Sequence, residues 1–234
     1  MRRMPLLWLA ALAVLAVVVA VQVVSTAGRT GSSAGTAPPT VRPGVDVLSG
    51  VAVVETRVRG DDYRRSAFGD AWDDENSAPG GHNGCDTRND ILERDLVDKT
   101  YVAITRCPRA VARGTLRDPY TNAALAFVRG DGVGASVQID HIVPLAYAWD
   151  MGARGWSDAM RKRFANDPAN LLAVDGQANQ DKGDQPPATW LPPNAAFRCQ
   201  YAMQFIAVLR GYGLPVDKPS ARELTAAATA CPSG

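Results

Sequence analysis

The chain has 234 residues, 46% of them hydrophobic, with 25 Lys and Arg against 24 Asp and Glu. That length and apolar content suit one globular domain with a sizeable core plus additional segments. The formal charge of +1 excludes a wholly basic nucleic-acid binder, so any affinity for DNA has to come from a local patch.

The N-terminus reads Met1-Arg2-Arg3, then a nearly unbroken apolar run from Pro5 to Val24 interrupted by Gln22. Positive residues before an apolar run mark an export signal. Ser25-Thr26-Ala27 offers small residues for cleavage after Ala27, yet the run is also about the length that spans a bilayer. Residues 1–27 are therefore expected to be a signal peptide or an N-terminal transmembrane anchor. Either puts the rest of the chain outside the cytoplasm, secreted or tethered to the membrane. Residues 28–44, rich in Gly, Ser, Thr and Pro, predict a flexible tether, and residues 45–234 the folded domain. There are no internal repeats and no second apolar span.

Tyr63, Phe68 and Trp72 predict packing around a turn. A polar block, His82-Asn83-Gly84-Cys85-Asp86-Thr87-Arg88-Asn89-Asp90, enters a predicted helix from Ile91 to Val97. Tyr101 to Ile104 and Ala123 to Val128 read as strands, with a turn at Asp118-Pro119-Tyr120-Thr121-Asn122. Val137-Gln138-Ile139 alternates as a half-buried strand does. Asp140 and His141 end it. Successive strand side chains point to opposite faces, so a bend at or after Asp140 has to bring both into one site. Pro144 limits the strand, and Ile142, Val143 and Leu145 anchor the bend in the core.

Trp156-Ser157-Asp158 starts a helix through Phe164, with Ser157 as cap. Arg161-Lys162-Arg163 on it is either a basic patch for nucleic acid, through Arg161 and Arg163, or a solvated helix face. Leu171 to Val174 suits a second buried strand. Asp175-Gly176 is a turn signal, Asp175 caps the following helix, Asn179 lies in its first turns and Gly183 near its end. Trp190-Leu191-Pro192-Pro193 is expected to pack over that helix.

The four cysteines, Cys85, Cys107, Cys199 and Cys231, form an even set in an exported chain and imply disulfides. Three pairings are open. Cys199 opens a helix with Ala202, Phe205, Ile206, Leu209 and Tyr212 on one face. Ser220-x-x-Glu223 reads as a capping box for a second helix reaching Cys231. If the two helices fold back antiparallel, Cys199 meets Cys231 and Cys85 is left with Cys107.

Asp140, His141, Asn170, Asn179 and Lys182 together suit metal-assisted attack on a phosphodiester. Neutral His141 takes a proton from water. The Asp140 carboxylate and the Asn179 amide oxygen are hard ligands for a divalent metal, which binds the scissile phosphate and the leaving oxygen. Lys182 holds a neighbouring phosphate. The Asn170 amide ties the connecting loop to the strand and so holds His141 in place.

The blocks Asp140-His141-Ile142-Val143-Pro144-Leu145, Asn170-Leu171-Leu172-Ala173-Val174, Ala178-Asn179-Gln180-Asp181-Lys182-Gly183-Asp184 and Trp190-Leu191-Pro192-Pro193 carry a specific resemblance. They are similar to the HNH endonucleases with a ββα-metal (His-Me finger) motif, in the branch sharing the C-terminal domain of GmrSD-type restriction enzymes (DUF1524). The resemblance runs from about Tyr63 to Cys231 and is specific between Gln138 and Pro193. It implies an α+β fold: a ββα-metal core at about 136–184, with N-terminal strands and a C-terminal helical pair.

By the same resemblance, Asp140 and Asn179 are metal ligands, His141 the general base and Asn170 the middle asparagine of the motif. Asparagine at the helix position favours Mg²⁺ or Mn²⁺ over Zn²⁺. The polar block resembles one found beside the motif in exported members. On that reading Arg88 clamps a phosphate while Asp86 or His82 faces the metal cleft. The alternative is that Asp86 caps the helix and Arg88 makes an internal salt bridge. The function implied is a metal-dependent endonuclease acting on DNA, without a small-molecule cofactor. A restriction role fits poorly in an exported chain without a nucleotide-driven partner domain. The competing class is a non-catalytic extracytoplasmic interaction module that has kept the fold.

Overall fold

The computed structural model describes residues 39–130 and 136–233. The expected signal or anchor segment lies outside the described residues, and among those described no helix is long and apolar enough to cross a membrane. The elements are β1 (Val53–Val54), α1 (Thr87–Asp95), β2 (Leu96–Ile104), β3 (Cys107–Arg117), β4 (Ala124–Val128), β5 (Val137–His141), α2 (Leu145–Asp150), α3 (Asp158–Asn166), β6 (Leu171–Asp175), α4 (Gly176–Lys182), α5 (Arg198–Tyr212), β7 (Val216–Asp217) and α6 (Lys218–Ala228). These small sheets and six helices are in keeping with an α+β class.

The sheets are an antiparallel β2-β3-β4 meander, an antiparallel β5-β6 pair and a short parallel β1-β7 pair. β5 and β6 register with Gln138 opposite Val174, Asp140 opposite Leu172 and His141 opposite Leu171. The Ile142 N–H donates to the Asn170 carbonyl at 2.8 Å, one step beyond the assigned strands. The chain then leaves through Pro144 into α2, so the strand ends where its two polar residues stand. α4 follows β6 directly. Asp175 Oδ1 caps it by accepting from the Ala178 N–H at 2.8 Å, and Gly183 ends it at φ +52°.

Two apolar cores hold the β5-β6 pair. On one side Ile91 and Leu92 of α1, with Val111, Leu116 and Phe127 of the meander, pack against Val137, Ile139, Leu171 and Ala173. The larger core gathers Ile142, Val143 and Val174 with Phe164, Tyr201, Phe205 and Leu224. Complete burial of such side chains stabilises by roughly 1.5–3 kcal/mol each, so the pair that carries Asp140 and His141 is fixed from both faces.

Several elements differ from expectation. α1 begins at Thr87 and hands over to β2 at Leu96, because Asp86 caps it by accepting from the Asn89 N–H at 2.8 Å. β3 was not legible: consecutive Ala110 and Val111 are both buried, which breaks the alternation a strand normally shows. Gly114 sits within it where a Cβ would lie 2.9 Å from the Leu96 side chain, so any larger residue there would force its neighbours to shift.

α6 is capped by Asp217, which accepts from the Ser220 N–H at 2.9 Å. Ser220 is buried in its first turn and does not act as the cap. Residues 39–44 of the expected tether lie against the domain, the Val41 N–H donating to the Pro232 carbonyl at 3.0 Å.

The disulfides are Cys85–Cys107 and Cys199–Cys231, with no free cysteine among the described residues. The second joins the start of α5 to the residues just after α6, as antiparallel helices require. The first ties the segment before α1 to the start of β3.

Candidate functional site

β5, the loop after it and α4 bring Asp140, His141 and Asn179 to one cavity of about 300 Å³, whose wall also holds Tyr63, Arg65 and Asp184. His141 is 6% exposed. Its Nε2 lies 2.9 Å from the Ala165 carbonyl oxygen at the end of α3. A carbonyl only accepts, so Nε2 carries the hydrogen and Nδ1 keeps the lone pair. The imidazole stacks on the Trp72 indole, with ring centroids 5.5 Å apart and planes 11° from parallel. Burial, aided by the charges of Arg65 and Lys182 and opposed by the Ala165 hydrogen bond, lowers its pKa to about 3. The ring is therefore neutral at physiological pH.

Asn170 is fully buried. Its Oδ1 accepts from the Val143 N–H at 2.8 Å and its Nδ2 donates to the Val143 carbonyl at 3.3 Å. This two-way clamp fixes the bend two residues after His141.

Lys182 departs from its expected role. It is 0% exposed, and its ammonium donates to Asp140 Oδ1 at 2.9 Å and to the His141 carbonyl at 2.8 Å. It also lies 2.8 Å from Asp140 Oδ2, which the Tyr120 hydroxyl reaches at 2.5 Å. Desolvation lowers the Lys182 pKa while the Asp140 charge opposes that shift. Fully buried, with two hydrogen bonds and a second ion contact to the same carboxylate, Lys182 does not face the cavity: it is the counter-ion that holds Asp140. α4 turns this side chain inward, where Trp190 covers it with the ring centroid 5.9 Å from Nζ.

Asn179 is half-buried, and its Nδ2 donates to Gln138 Oε1 at 2.8 Å. Its Oδ1 has no hydrogen-bond donor among the described residues. Asp184 shares the cavity wall but is paired with Arg57 and Arg59.

The polar block does not join this cavity. Asp86 caps α1, and Arg88 donates to the Val137 carbonyl at 3.0 Å, a backbone partner in place of the expected salt bridge. His82 pairs with Glu75 at 3.1 Å beside another cavity, near Arg106. The basic patch is likewise committed. Arg161 donates to the Ala67 carbonyl at 2.9 Å and pairs with Asp158. Arg163 donates to the Ser77 carbonyl at 3.0 Å. Arg161 is thus held by several protein partners, while Arg163 is tied to the protein through one guanidinium nitrogen. The residues missed were Arg65, Trp72 and Tyr120. Tyr120 is placed by Asp118, whose Oδ2 accepts from the Thr121 N–H at 2.7 Å and Oδ1 from the Asp175 N–H at 2.9 Å. No spacing in the sequence joins these residues to the motif.

A relative from Arthroderma benhamiae, described as an uncharacterized secreted protein, is 36% identical over 149 residues, covering 63% of this chain and 68% of the relative. No solved structure matches the chain. The family model for the C-terminal domain of GmrSD restriction endonucleases matches residues 86–227, a span that holds β5, β6, α4 and every residue of the Asp140 cluster. With more than half of its length matched, the chain belongs to that family.

Proposed function

We propose that the chain is an exported, metal-dependent HNH endonuclease that hydrolyses phosphodiester bonds of DNA, with β5, β6 and α4 as its ββα-metal core. The observation that carries this reading is the state of His141, a neutral imidazole with Nε2 bound to a carbonyl, in the same cavity as Asp140 and Asn179. A group in that state accepts a proton from water at Nδ1. Family membership supports nuclease chemistry and a DNA substrate. The secreted relative and the two disulfides support an extracytoplasmic location.

The protein's donors fit a weakly held hard cation. A carboxylate has room for about four acceptor contacts, and three at Asp140 are taken by Lys182 and Tyr120. The Asn179 Oδ1 adds a neutral oxygen. Among the described residues no group of three His, Cys, Asp or Glu is placed to hold an ion, which disfavours a tightly bound Zn²⁺. Asp140 and Asn179 would hold Mg²⁺ or Mn²⁺, with water and phosphate completing the shell. When bound, the ion neutralises charge on the phosphate and on the leaving oxygen. Lys182 orients Asp140, Asn170 fixes the bend behind His141, and the Ala165 carbonyl fixes the tautomer.

The test is His141→Ala assayed on supercoiled plasmid with Mg²⁺. Cleavage is expected to fall by at least ~10²-fold, the usual contribution of a general base, with metal affinity nearly intact. Turnover near wild type would remove His141 from the mechanism. The second reading, a non-catalytic interaction module, draws on the neutralisation of Asp140 by Lys182. A folded wild-type domain that leaves plasmid intact in both Mg²⁺ and Mn²⁺ would decide for it.

A further inference from the structure

A second cavity, of about 230 Å³, also borders His141; Phe68, Trp72, Leu145 and Ala165 form most of its wall, and Asp70 lies on it as well. His141 and Arg65 line both cavities, and Arg65 is the only Lys or Arg lining either one among the described residues. Arg65 opens a short 3-10 turn, Arg65–Phe68. That turn is pinned: Phe68 is 1% exposed, and the Ala67 carbonyl receives Arg161. The backbone of Arg65 is therefore fixed while its side chain stays exposed.

The neighbouring cations are spent. Arg57 and Arg59 pair with Asp184, Arg154 with Asp62, Lys162 with Asp73 and Lys182 with Asp140. Arg64 donates to the carbonyls of Asp61 and Tyr63. Arg65 makes no hydrogen bond or ion pair among the described residues. An unpaired guanidinium on a fixed turn, shared by the two cavities that border His141, is matched to a planar two-point contact with phosphate.

We infer that Arg65 binds the substrate phosphodiester beside His141, as the phosphate-contacting cation of this site. The inference rests on the nuclease reading and adds to it the residue that recognises the substrate. It also explains how the site manages with Lys182 turned inward.

The test compares wild type, Arg65→Ala, Arg65→Lys and, as a control, Arg64→Ala, whose exposed side chain lies outside both cavities. Binding of a fluorescein-labelled DNA duplex is followed by anisotropy in EDTA across a salt series, and plasmid cleavage is measured in Mg²⁺. Arg65→Ala is expected to lower the salt slope of binding by about one. Its kcat/KM should fall about ten- to a hundredfold, as loss of a charged hydrogen bond does, with an unchanged melting temperature because the side chain has no protein partner. Arg65→Lys should recover part of the binding, the charge without the fork, and Arg64→Ala should match wild type in cleavage. If wild type cleaves and Arg65→Ala equals Arg64→Ala in slope and in kcat/KM, the assignment of Arg65 is overturned and the nuclease reading stands. If wild type neither binds nor cleaves DNA, both fall together.

Discussion

Replacing Lys182 with Met removes the ammonium and keeps most of the side-chain length. The wild-type group is 0% exposed and reaches both Asp140 oxygens and the His141 carbonyl at 2.8–2.9 Å. Its loss leaves the Asp140 carboxylate, 6% exposed, with the Tyr120 hydroxyl as its remaining partner, and breaking a buried pair from one side costs about 3–5 kcal/mol. For a domain of this size each kcal/mol moves the melting temperature by about 2–4 °C, so a fall of roughly 6–20 °C is expected. The assay is thermal and urea unfolding at neutral pH in EDTA. The double variant Lys182→Met/Asp140→Asn should regain part of the loss, because no charge is left buried, and Mg²⁺ should raise the melting temperature of Lys182→Met more than that of wild type. A loss under about 1 kcal/mol, the size of an exposed pair, would refute the buried pairing.

The His141 pKa of about 3 makes kcat/KM flat down to about pH 5, where an ordinary imidazole has lost most of its base form. A lowered pKa preserves the neutral base to lower pH, and a bound phosphodiester raises it by opposite charge; the acid limb of kcat should therefore lie above that of kcat/KM, and a kcat/KM limb near pH 6.5 would contradict the burial argument. Asn170→Ala strips both partners from Val143 at a fully buried position and should cost roughly 2–4 kcal/mol, read by urea unfolding, with kcat falling more than KM changes if the bend positions His141. The double variant Cys199→Ser/Cys231→Ser opens a loop with a sequence separation of 32 and should lose roughly 3–4 kcal/mol, measured against the oxidised protein under the same denaturant series.

The motif strands and helix were legible because their signals are local. Val137 to Ile139 alternates, Asp175 caps and Gly183 stops α4, and Pro144 ends the strand that presents His141. The paired cysteines followed from helix direction for the same reason. β3 was hidden because its register against β2 is irregular and consecutive residues are buried, and the α6 cap because Asp217 and Ser220 both make acceptable caps and only tertiary burial of Ser220 decides between them. The roles of charged residues were the least legible. Lys182 reads in sequence as a phosphate contact at the end of its helix, but the 3.6-residue period turns it toward Asp140, a partner 42 residues away. Arg161 and Arg163 look like a patch until carbonyls from distant loops claim them. Arg65 and Trp72 reach His141 only because the segment before α1 folds back over β5, which no local pattern encodes.

The measurement that bears most directly on the central claim is cleavage of supercoiled plasmid by the purified protein, for wild type and Asp140→Ala, titrated with Mg²⁺, Mn²⁺ and Zn²⁺ and repeated in excess EDTA. Wild type is expected to nick plasmid in Mg²⁺ and Mn²⁺, poorly in Zn²⁺ and not in EDTA, because the proposed donors are one shared carboxylate and one amide oxygen. Asp140→Ala should lose both metal affinity and cleavage. Full wild-type activity in excess EDTA would contradict the metal mechanism and the assignment of Asp140 and Asn179 with it.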